Sequence, residues 1–315
     1  MPSALVLCFH RVVPDAVADD YWPWVERGSA ITVSRFESIL DHLVKTHRWI
    51  DEQEAADRLV RGRGSADRAC WITFDDGYRD NLDVAAPILK SRGISPTLFI
   101  STRVLQAGFR LPVDRWYSAL LAARASSEPP IAHATTRTSP FDSPESRMAL
   151  LAGPAKQRFV RARKPEQDIL LQALKLELGR SDSPDHRNER TIEYLRADDL
   201  DALCALGWRI GPHGASHELL HTLPDDELEA ELLESHAALS GVRRRSSWTA
   251  WPDGAWNPAA ASMMQRMYAP LGFCGCLSVE PRAATAADHA WAMPRVIPCR
   301  ENGWACDGPA ISPTM

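Results

Sequence analysis

No stretch of this 315-residue chain approaches the ~20 consecutive apolar residues of a membrane-spanning helix, so the sequence offers no helical span. The amino terminus lacks a basic region followed by a long apolar stretch. Leu5-Val6-Leu7-Cys8-Phe9 therefore reads as a strand rather than a secretion signal. An excess of basic residues is missing too. Lys and Arg number 36 against 41 Asp and Glu, a net charge of −5, which argues against general nucleic-acid binding. The run Arg243-Arg244-Arg245 reads as a solvated loop. Paired cysteine spacing is absent: the seven cysteines are scattered, and no Cys or His cluster has zinc-finger spacing. That fits free thiols in a reducing compartment and predicts a cytoplasmic protein. Cys274 and Cys276 would face one side of a strand as packing residues. No internal repeat is evident. One large α/β domain over residues 1–315, carrying an elaboration, is the economical organisation.

What is present concentrates in two places. The first is Thr73-Phe74-Asp75-Asp76-Gly77, which closes the apolar run Cys70-Trp71-Ile72. A short apolar run ended by glycine and followed by a helical pattern reads as a buried parallel strand. The carboxyl ends of such strands are where α/β folds place their chemistry. The plain alternative is a turn that uses Asp and Gly for their backbone preferences. The second is His213-Gly214-Ala215-Ser216-His217, which follows Trp208-Arg209-Ile210-Gly211-Pro212. Two histidines four apart share one face of a helical turn, so both imidazoles can reach one ion. Imidazole nitrogen and carboxylate oxygen suit Zn²⁺, Co²⁺ or Ni²⁺, and two His with one Asp leave positions open for water and substrate. A structural His-x-x-x-His is the competing reading.

TFDDGYRDN and HGASHELL resemble the first two motifs of the polysaccharide deacetylases, carbohydrate esterase family 4, with a resemblance running from Leu5 to about Arg300 and weak between Ser126 and Glu189. It implies a distorted (β/α) barrel of about seven strands with a helical and loop insertion. Carried over by position, Asp75 is the catalytic base, and Asp76, His213 and His217 hold a divalent metal ion, Zn first and Co or Ni as alternatives. The family's late Leu-x-x-His strand, whose His is the general acid, has no counterpart after the metal histidines. Leu7-Cys8-Phe9-His10 matches it at the amino end, which looks like the circularly permuted branch and makes His10 the acid, facing the pocket from the side opposite Asp75. A core histidine is the alternative.

The third motif, Arg-x-Pro-aromatic-Gly, corresponds to Ala250-Trp251-Pro252-Asp253-Gly254. Ala250 replaces the arginine that holds the catalytic Asp, and Asp253 replaces the aromatic. A backbone N–H at Asp253 can still serve an oxyanion, because it needs no particular side chain. Arg295, in Met293-Pro294-Arg295-Val296-Ile297, is the candidate substitute arginine, with a surface arginine on an edge strand as the alternative. Trp251, Asp253 and Trp116 are candidate substrate contacts or supports; Trp116 lies in Asp114-Arg115-Trp116-Tyr117 and could form a sugar platform.

The organisation supports a barrel. Ser34-Arg35-Phe36-Glu37 reads as a capping box with Phe36, Leu40 and Leu43 on one face. Helices are expected over 82–90, 200–206 and 225–239, the last with Leu228, Leu232 and Leu239 inward. Residues 118–190 read as an insertion. Ser126–Ser146 is a loop, Pro165 opens a helix with Leu170, Leu174 and Leu178 on one stripe closed by Gly179, and Ser181–Glu189 is polar. An insertion this long reads as a lid or substrate wall, the alternative being an exposed decoration.

The resemblance implies hydrolysis of an N-acetyl group from an acetylated amino sugar, in a polysaccharide, a sugar intermediate or a small glycosylated metabolite. Two other readings stay open: a non-catalytic carbohydrate-binding protein of the same fold, and hydrolysis of another C–N bond such as a formamide.

Overall fold

The strand that ends in Asp75-Asp76 is the centre of the fold. In the computed structural model, which describes residues 2–125, 139–179 and 191–298, every residue of this eight-residue strand is buried, as a strand covered on both faces requires. In chain order the strands are β1 (Ser3–Phe9), β2 (Arg11–Val13), β3 (Ala30–Thr32), β4 (Arg48–Trp49), β5 (Ala69–Asp76), β6 (Thr97–Ile100), β7 (Arg209–Pro212), β8 (Trp248–Ala250), β9 (Gly275–Leu277) and β10 (Ala284–Thr285). The helices are α1 (Trp22–Arg27), α2 (Val33–Leu43), α3 (Glu52–Leu59), α4 (Ala86–Ser91), α5 (Pro112–Arg124), α6 (Pro144–Ala152), α7 (Pro154–Arg161), α8 (Lys164–Glu177), α9 (Ala197–Ala205), α10 (Asp225–Ala238) and α11 (Pro258–Tyr268).

The chain divides into two units. The first comprises residues 1–16, 31–109 and 194–315. Its main sheet runs β10-β1-β5-β6-β7, with β4 also on β5. The β1–β5, β4–β5, β5–β6 and β6–β7 pairs are parallel, and only β1–β10 is antiparallel. Strands that alternate with helices along the chain give this parallel order. β8 and β9 form a separate parallel pair. Single bridges continue the pairing beyond these ladders: Ile210 with Arg245, Leu277 with Met293, and Leu7 with Val296. The fold is thus mixed α/β with a parallel central sheet, and its formal ladders divide into one sheet and two strand pairs rather than one continuous seven-strand ring.

Two apolar clusters brace this unit. Val6, Ile50, Trp71, Phe99, Trp248, Leu277 and Met293 pack along the strands. Leu228 and Leu232 of α10 pack with Trp251, Met264, Tyr268 and Cys276. Leu239, the residue just past the end of α10, is buried as well, so all three leucines lie inward as the periodicity placed them. The cap of α2 differs from the expectation. Thr32, not Ser34, accepts the first-turn N–H of Arg35, because the Ser34 hydroxyl and N–H are both bound by Asp15.

The second unit comprises residues 17–30 and 110–193, so it starts earlier than the expected insertion at 118 and recruits α1. Tertiary bonds explain the recruitment: the Trp24 indole N–H donates to Asp114 Oδ1 at 2.9 Å, and Arg147 pairs with Glu26 at 2.9 Å. Part of the expected 126–146 loop is helical, since Ser143 caps α6 and Pro144 opens it. Residues 126–138 of that loop and the polar stretch 181–189 lie outside the described residues. α8 buries Leu174, with Leu178 beyond its end, and Gly179 follows at φ +71°.

Among the described residues no helix is long and apolar enough to cross a membrane.

Candidate active site

Successive side chains on a strand point to opposite faces, so Asp75 and Asp76 should diverge. They do not, because Asp76 leaves the strand at φ +79°. This left-handed turn brings both carboxylates to one place: His213 Nε2 lies 3.7 Å from Asp75 Oδ2 and 3.7 Å from Asp76 Oδ1. Gly77 makes the turn feasible. Its φ is +98°, and a Cβ there would stand 2.6 Å from Ile100 Cγ1. Only three non-glycine residues among those described have positive φ, namely Asp76, His217 at +63° and Asp253 at +54°. All three are candidate site residues, and strained backbone of this kind costs about 1–3 kcal/mol per residue and gathers at functional sites.

The histidines meet, though not through a helical turn. Residues 213–217 form an irregular turn after β7, in which Gly214 at φ +71° and His217 at +63° fold the chain back. The two imidazole centroids are 5.1 Å apart. His213 Nδ1 lies 2.9 Å from the Ala250 carbonyl. A carbonyl only accepts, so Nδ1 carries the hydrogen and Nε2 presents its lone pair to the carboxylates. Burial is the larger influence on His213 and pushes it down to about 4, against the pull of Asp75. It is therefore neutral at physiological pH. His217 Nε2 lies 3.2 Å from Asp76 Oδ1, yet Asp76 Oδ1 has no hydrogen bond of acceptable geometry among the described residues. Burial pushes His217 downward, but the Asp76 carboxylate, joined by Asp253 and Asp75, holds the imidazole up at about 9. This is charge attraction without a well-formed bond.

The donor set of Asp76, His213 and His217 therefore fits a divalent cation. Their ligand atoms lie within 4.8 Å of one another. A buried carboxylate oxygen with no hydrogen bond among the described residues lies 3.7 Å from an imidazole lone pair, and a cation between them would satisfy both acceptors. The Ala250 carbonyl supplies the outer partner that fixes the tautomer of a metal-binding imidazole. The ligand atoms of Cys8, His10 and Asp75 also lie within 4.8 Å of one another, but this set suits an ion poorly, because the Asp75 charge is already paired with a cation. Arg295 donates to Asp75 Oδ1 and Oδ2 at 2.7 Å each, and also to Thr73 Oγ1 at 3.1 Å.

That fork is the arrangement expected of the missing motif arginine. Arg295 is fully buried and no surface residue. It arrives from the single-bridge segment after Met293 rather than from a regular strand. Burial is the largest single influence and would raise the Asp75 carboxyl, but the Arg295 charge and hydrogen bonds together with His213 and His10 keep the group below the ordinary carboxylate range. Asp75 stays ionised.

His10 follows β1, whose register pairs Cys8 with Thr73 and Phe9 with Phe74, so it is placed beside Asp75. A ring nitrogen lies within 4.8 Å of an Asp75 oxygen. It is a lateral neighbour of the carboxylate rather than a group facing it across the pocket, because parallel register sets the two strand ends side by side. Its Nδ1 is buried with no hydrogen-bond partner among the described residues. The sequence reading missed what secures this segment. Asp80 accepts from Arg11 Nε at 2.8 Å and from the Val12 N–H at 3.3 Å, while Asn81 Nδ2 donates to the His10 carbonyl at 2.8 Å. Both belong to TFDDGYRDN, and their polar types inside a buried turn were the available signal. Cys8 was also missed; its thiol donates to Asp75 Oδ2 at 3.3 Å, and its place two residues before His10 put it on the same face.

The remaining candidates separate. Asp253 is exposed, and its charge is one of the influences that raise His217. Trp251 is buried in the apolar cluster under α11 and donates its indole N–H to the Trp291 carbonyl at 2.9 Å; it supports the loop and offers no open face. Trp116 belongs to the second unit, is 2% exposed, bonds the Leu150 carbonyl and packs on Phe159. It is a packing residue with no free ring face for a sugar.

No protein-family model matches the sequence. A curated protein of Bacillus subtilis, YxkH, which carries a provisional polysaccharide deacetylase name, is 35% identical over 54 residues; that match spans 17% of this chain and only 19% of YxkH. Solved structures agree far more widely. The Streptococcus pyogenes deacetylase PplD, in complex with acetate, superposes with a TM-score of 0.59 at 14% identity, covering 94% of this chain and 92% of that one. A de-N-acetylase from Aggregatibacter actinomycetemcomitans gives 0.55 at 14% identity, covering 94% of each chain. IcaB from Ammonifex degensii gives 0.52 at 17% identity, covering 90% and 85%. The chain has the fold of the polysaccharide deacetylases, and the resemblance read from its two motifs is borne out at that level.

Proposed function

We propose that this protein is a metal-dependent hydrolase that removes an N-acetyl group from an acetylated amino sugar. The observation that carries the reading is the buried pairing of two differently treated carboxylates: Asp75 is held by Arg295, while Asp76 faces His213 and His217 with an Oδ1 that has no hydrogen bond among the described residues. Environment divides two adjacent acids into a base and a ligand. Asp76, His213 and His217 would hold the ion, Zn²⁺ on grounds of donor type with Co²⁺ or Ni²⁺ as alternatives. When bound, such an ion polarises an acyl carbonyl and lowers the pKa of a water.

The chain's own groups do the rest. Asp75, ionised and oriented by Arg295, accepts the proton of the attacking water. Cys8 and Thr73 lie around this charged pair and limit its movement. The Asp253 backbone N–H is the proposed oxyanion donor. His10, protonated, gives its proton to the departing amine nitrogen, which is too basic to leave as an anion. The run of parallel pairings and single bridges from β1 round to Val296 supports a distorted barrel of about seven strands, opened by permutation so that the acid comes from the first strand. An arginine on Asp75 also weighs against the non-catalytic reading, because it does for that carboxylate what the absent motif arginine would do. Among the neighbours of the fold, PplD was solved with acetate, the acid that this proposed reaction would release.

Metal analysis of variants tests the division of roles. Asp75→Asn should retain one equivalent of Zn²⁺ while turnover falls by roughly 10²–10⁴, and His213→Ala or His217→Ala should lose both. Loss of the ion in Asp75→Asn would exchange the roles of the two acids.

A further inference from the structure

The turn between the two histidines is held from outside by a single buried acid. Glu231 lies on α10 and is 7% exposed. Its Oε2 accepts the Ala215 N–H at 2.8 Å and the Ser216 N–H at 3.0 Å, and its Oε1 accepts the Ser216 hydroxyl at 2.7 Å. The other side of the turn is tied to the strand-end loop after β6. The Thr102 N–H donates to the Gly214 carbonyl at 3.2 Å, the Arg103 N–H to the Ala215 carbonyl at 2.9 Å, and Ser101 Oγ to the His213 carbonyl at 3.2 Å. Arg103 itself is mainly paired with Glu234, at 2.8 and 2.6 Å, and approaches Glu231 to only 3.8 Å.

The chemistry of this arrangement is directional. His217 sits at φ +63°, a conformation that costs about 1–3 kcal/mol for a non-glycine residue and persists only where its surroundings over-determine it. Two consecutive backbone N–H groups and a hydroxyl converging on one carboxylate supply that constraint, since hydrogen bonds to an ionised acceptor are about twice as strong as neutral ones. The neighbours of Glu231 along α10 are Leu228 and Leu232 in the core. An apolar residue at 231 would suit that packing but would leave both N–H groups buried without an acceptor. Gly214, at φ +71°, supplies the left-handed residue the turn needs at its start.

We propose that Glu231 is the positioning residue that keeps residues 213–217 in the conformation presenting both imidazoles, so that metal affinity is set partly from α10. The inference rests on His213 and His217 being ligands, and it adds a residue outside the ligand set. Partners that orient metal ligands from outside are worth roughly 10–100-fold in affinity.

Two readouts on the full chain test it. The first is amide hydrogen exchange at Ala215 and Ser216 in metal-free protein, and the second is Zn²⁺ affinity by competition with a chromophoric chelator. Glu231→Ala should speed exchange at both amides and weaken Zn²⁺ binding by roughly 10–100-fold. Glu231→Gln, which keeps an acceptor oxygen, should recover most of both, and Glu234→Ala should change neither. Wild-type exchange at these amides in Glu231→Ala, or wild-type Zn²⁺ affinity, overturns the proposal. If Glu231→Ala does not fold, Ser216→Ala takes its place: it removes one of the three bonds and should show a smaller loss of the same kind, and no change overturns the proposal equally. Wild-type protein that takes up no Zn²⁺ removes the ligand reading instead, and the exchange comparison still decides the hold of Glu231 on the turn.

Discussion

Replacing Arg295 with methionine isolates the interaction on which the division of the two carboxylates depends. The substitution keeps a long side chain and deletes the charge. It removes two bonds of 2.7 Å to Asp75, one of 3.1 Å to Thr73 and one of 3.3 Å to the Ser278 carbonyl. Asp75, 2% exposed, is then left as a buried carboxylate without its cation, and breaking a buried pair from one side costs about 3–5 kcal/mol. An unfolding entropy of about 2.1 cal/mol/K per residue over 315 residues converts this to a fall of roughly 5–8 °C in Tm. Scanning calorimetry on the metal-free protein reads it directly. Adding Asp75→Asn to Arg295→Met removes the stranded charge and should restore part of the loss, with a coupling energy of about 1–3 kcal/mol in the double-mutant cycle. A fall under about 2 °C for Arg295→Met, or strictly additive losses in the cycle, would refute the claim that Arg295 holds Asp75 ionised.

Further predictions follow from neighbouring groups. His10→Ala should lower kcat on N-acetyl amides and much less on acetate esters, whose leaving groups need little protonation; equal losses, measured side by side, exclude His10 as the acid. Buried Glu52, bonded to Ser246 and Ser247, has its carboxyl pushed above the ordinary 4.5 chiefly by burial. Its contribution is therefore full below pH 4.5 and lost as pH rises through the raised value. The Tm of Glu52→Gln relative to wild type should accordingly climb between pH 4.5 and pH 8, and a flat or falling difference contradicts the direction of that shift.

How much of this was legible in the sequence depends on how local each cause is. The parallel strands were readable because Leu5–Phe9 and Cys70–Ile72 are uninterrupted apolar runs, and they fold within β1 and β5. The candidate site residues were readable as types at strand ends, but not in the way the backbone delivers them. Nothing in Asp75-Asp76 announces that Asp76 takes φ +79°, and His213-x-x-x-His217 looks helical although its turn depends on two left-handed residues. Arg295 was accessible as an arginine in an apolar segment, but its fork on Asp75 spans the chain and no local pattern encodes it. Glu231 was invisible for the opposite reason. It sits in the acidic run 225–234 of an exposed-looking helix, and only the tertiary placement of the histidine turn gives its carboxylate three donors. The boundary of the second unit failed similarly, because residues 17–30 join 110–193 through contacts such as Trp24 with Asp114 rather than through periodicity.

The central claim is tested most directly by acetate release from a panel of N-acetylated amino sugars, measured with Zn²⁺-loaded protein beside the chelator-treated protein and Asp75→Asn. Acetate formed by the loaded wild type and reduced by roughly 10²–10⁴ in Asp75→Asn is the result predicted. Acetate release that persists at the same rate in Asp75→Asn, or that the loaded wild type does not produce from any sugar in the panel, would contradict it.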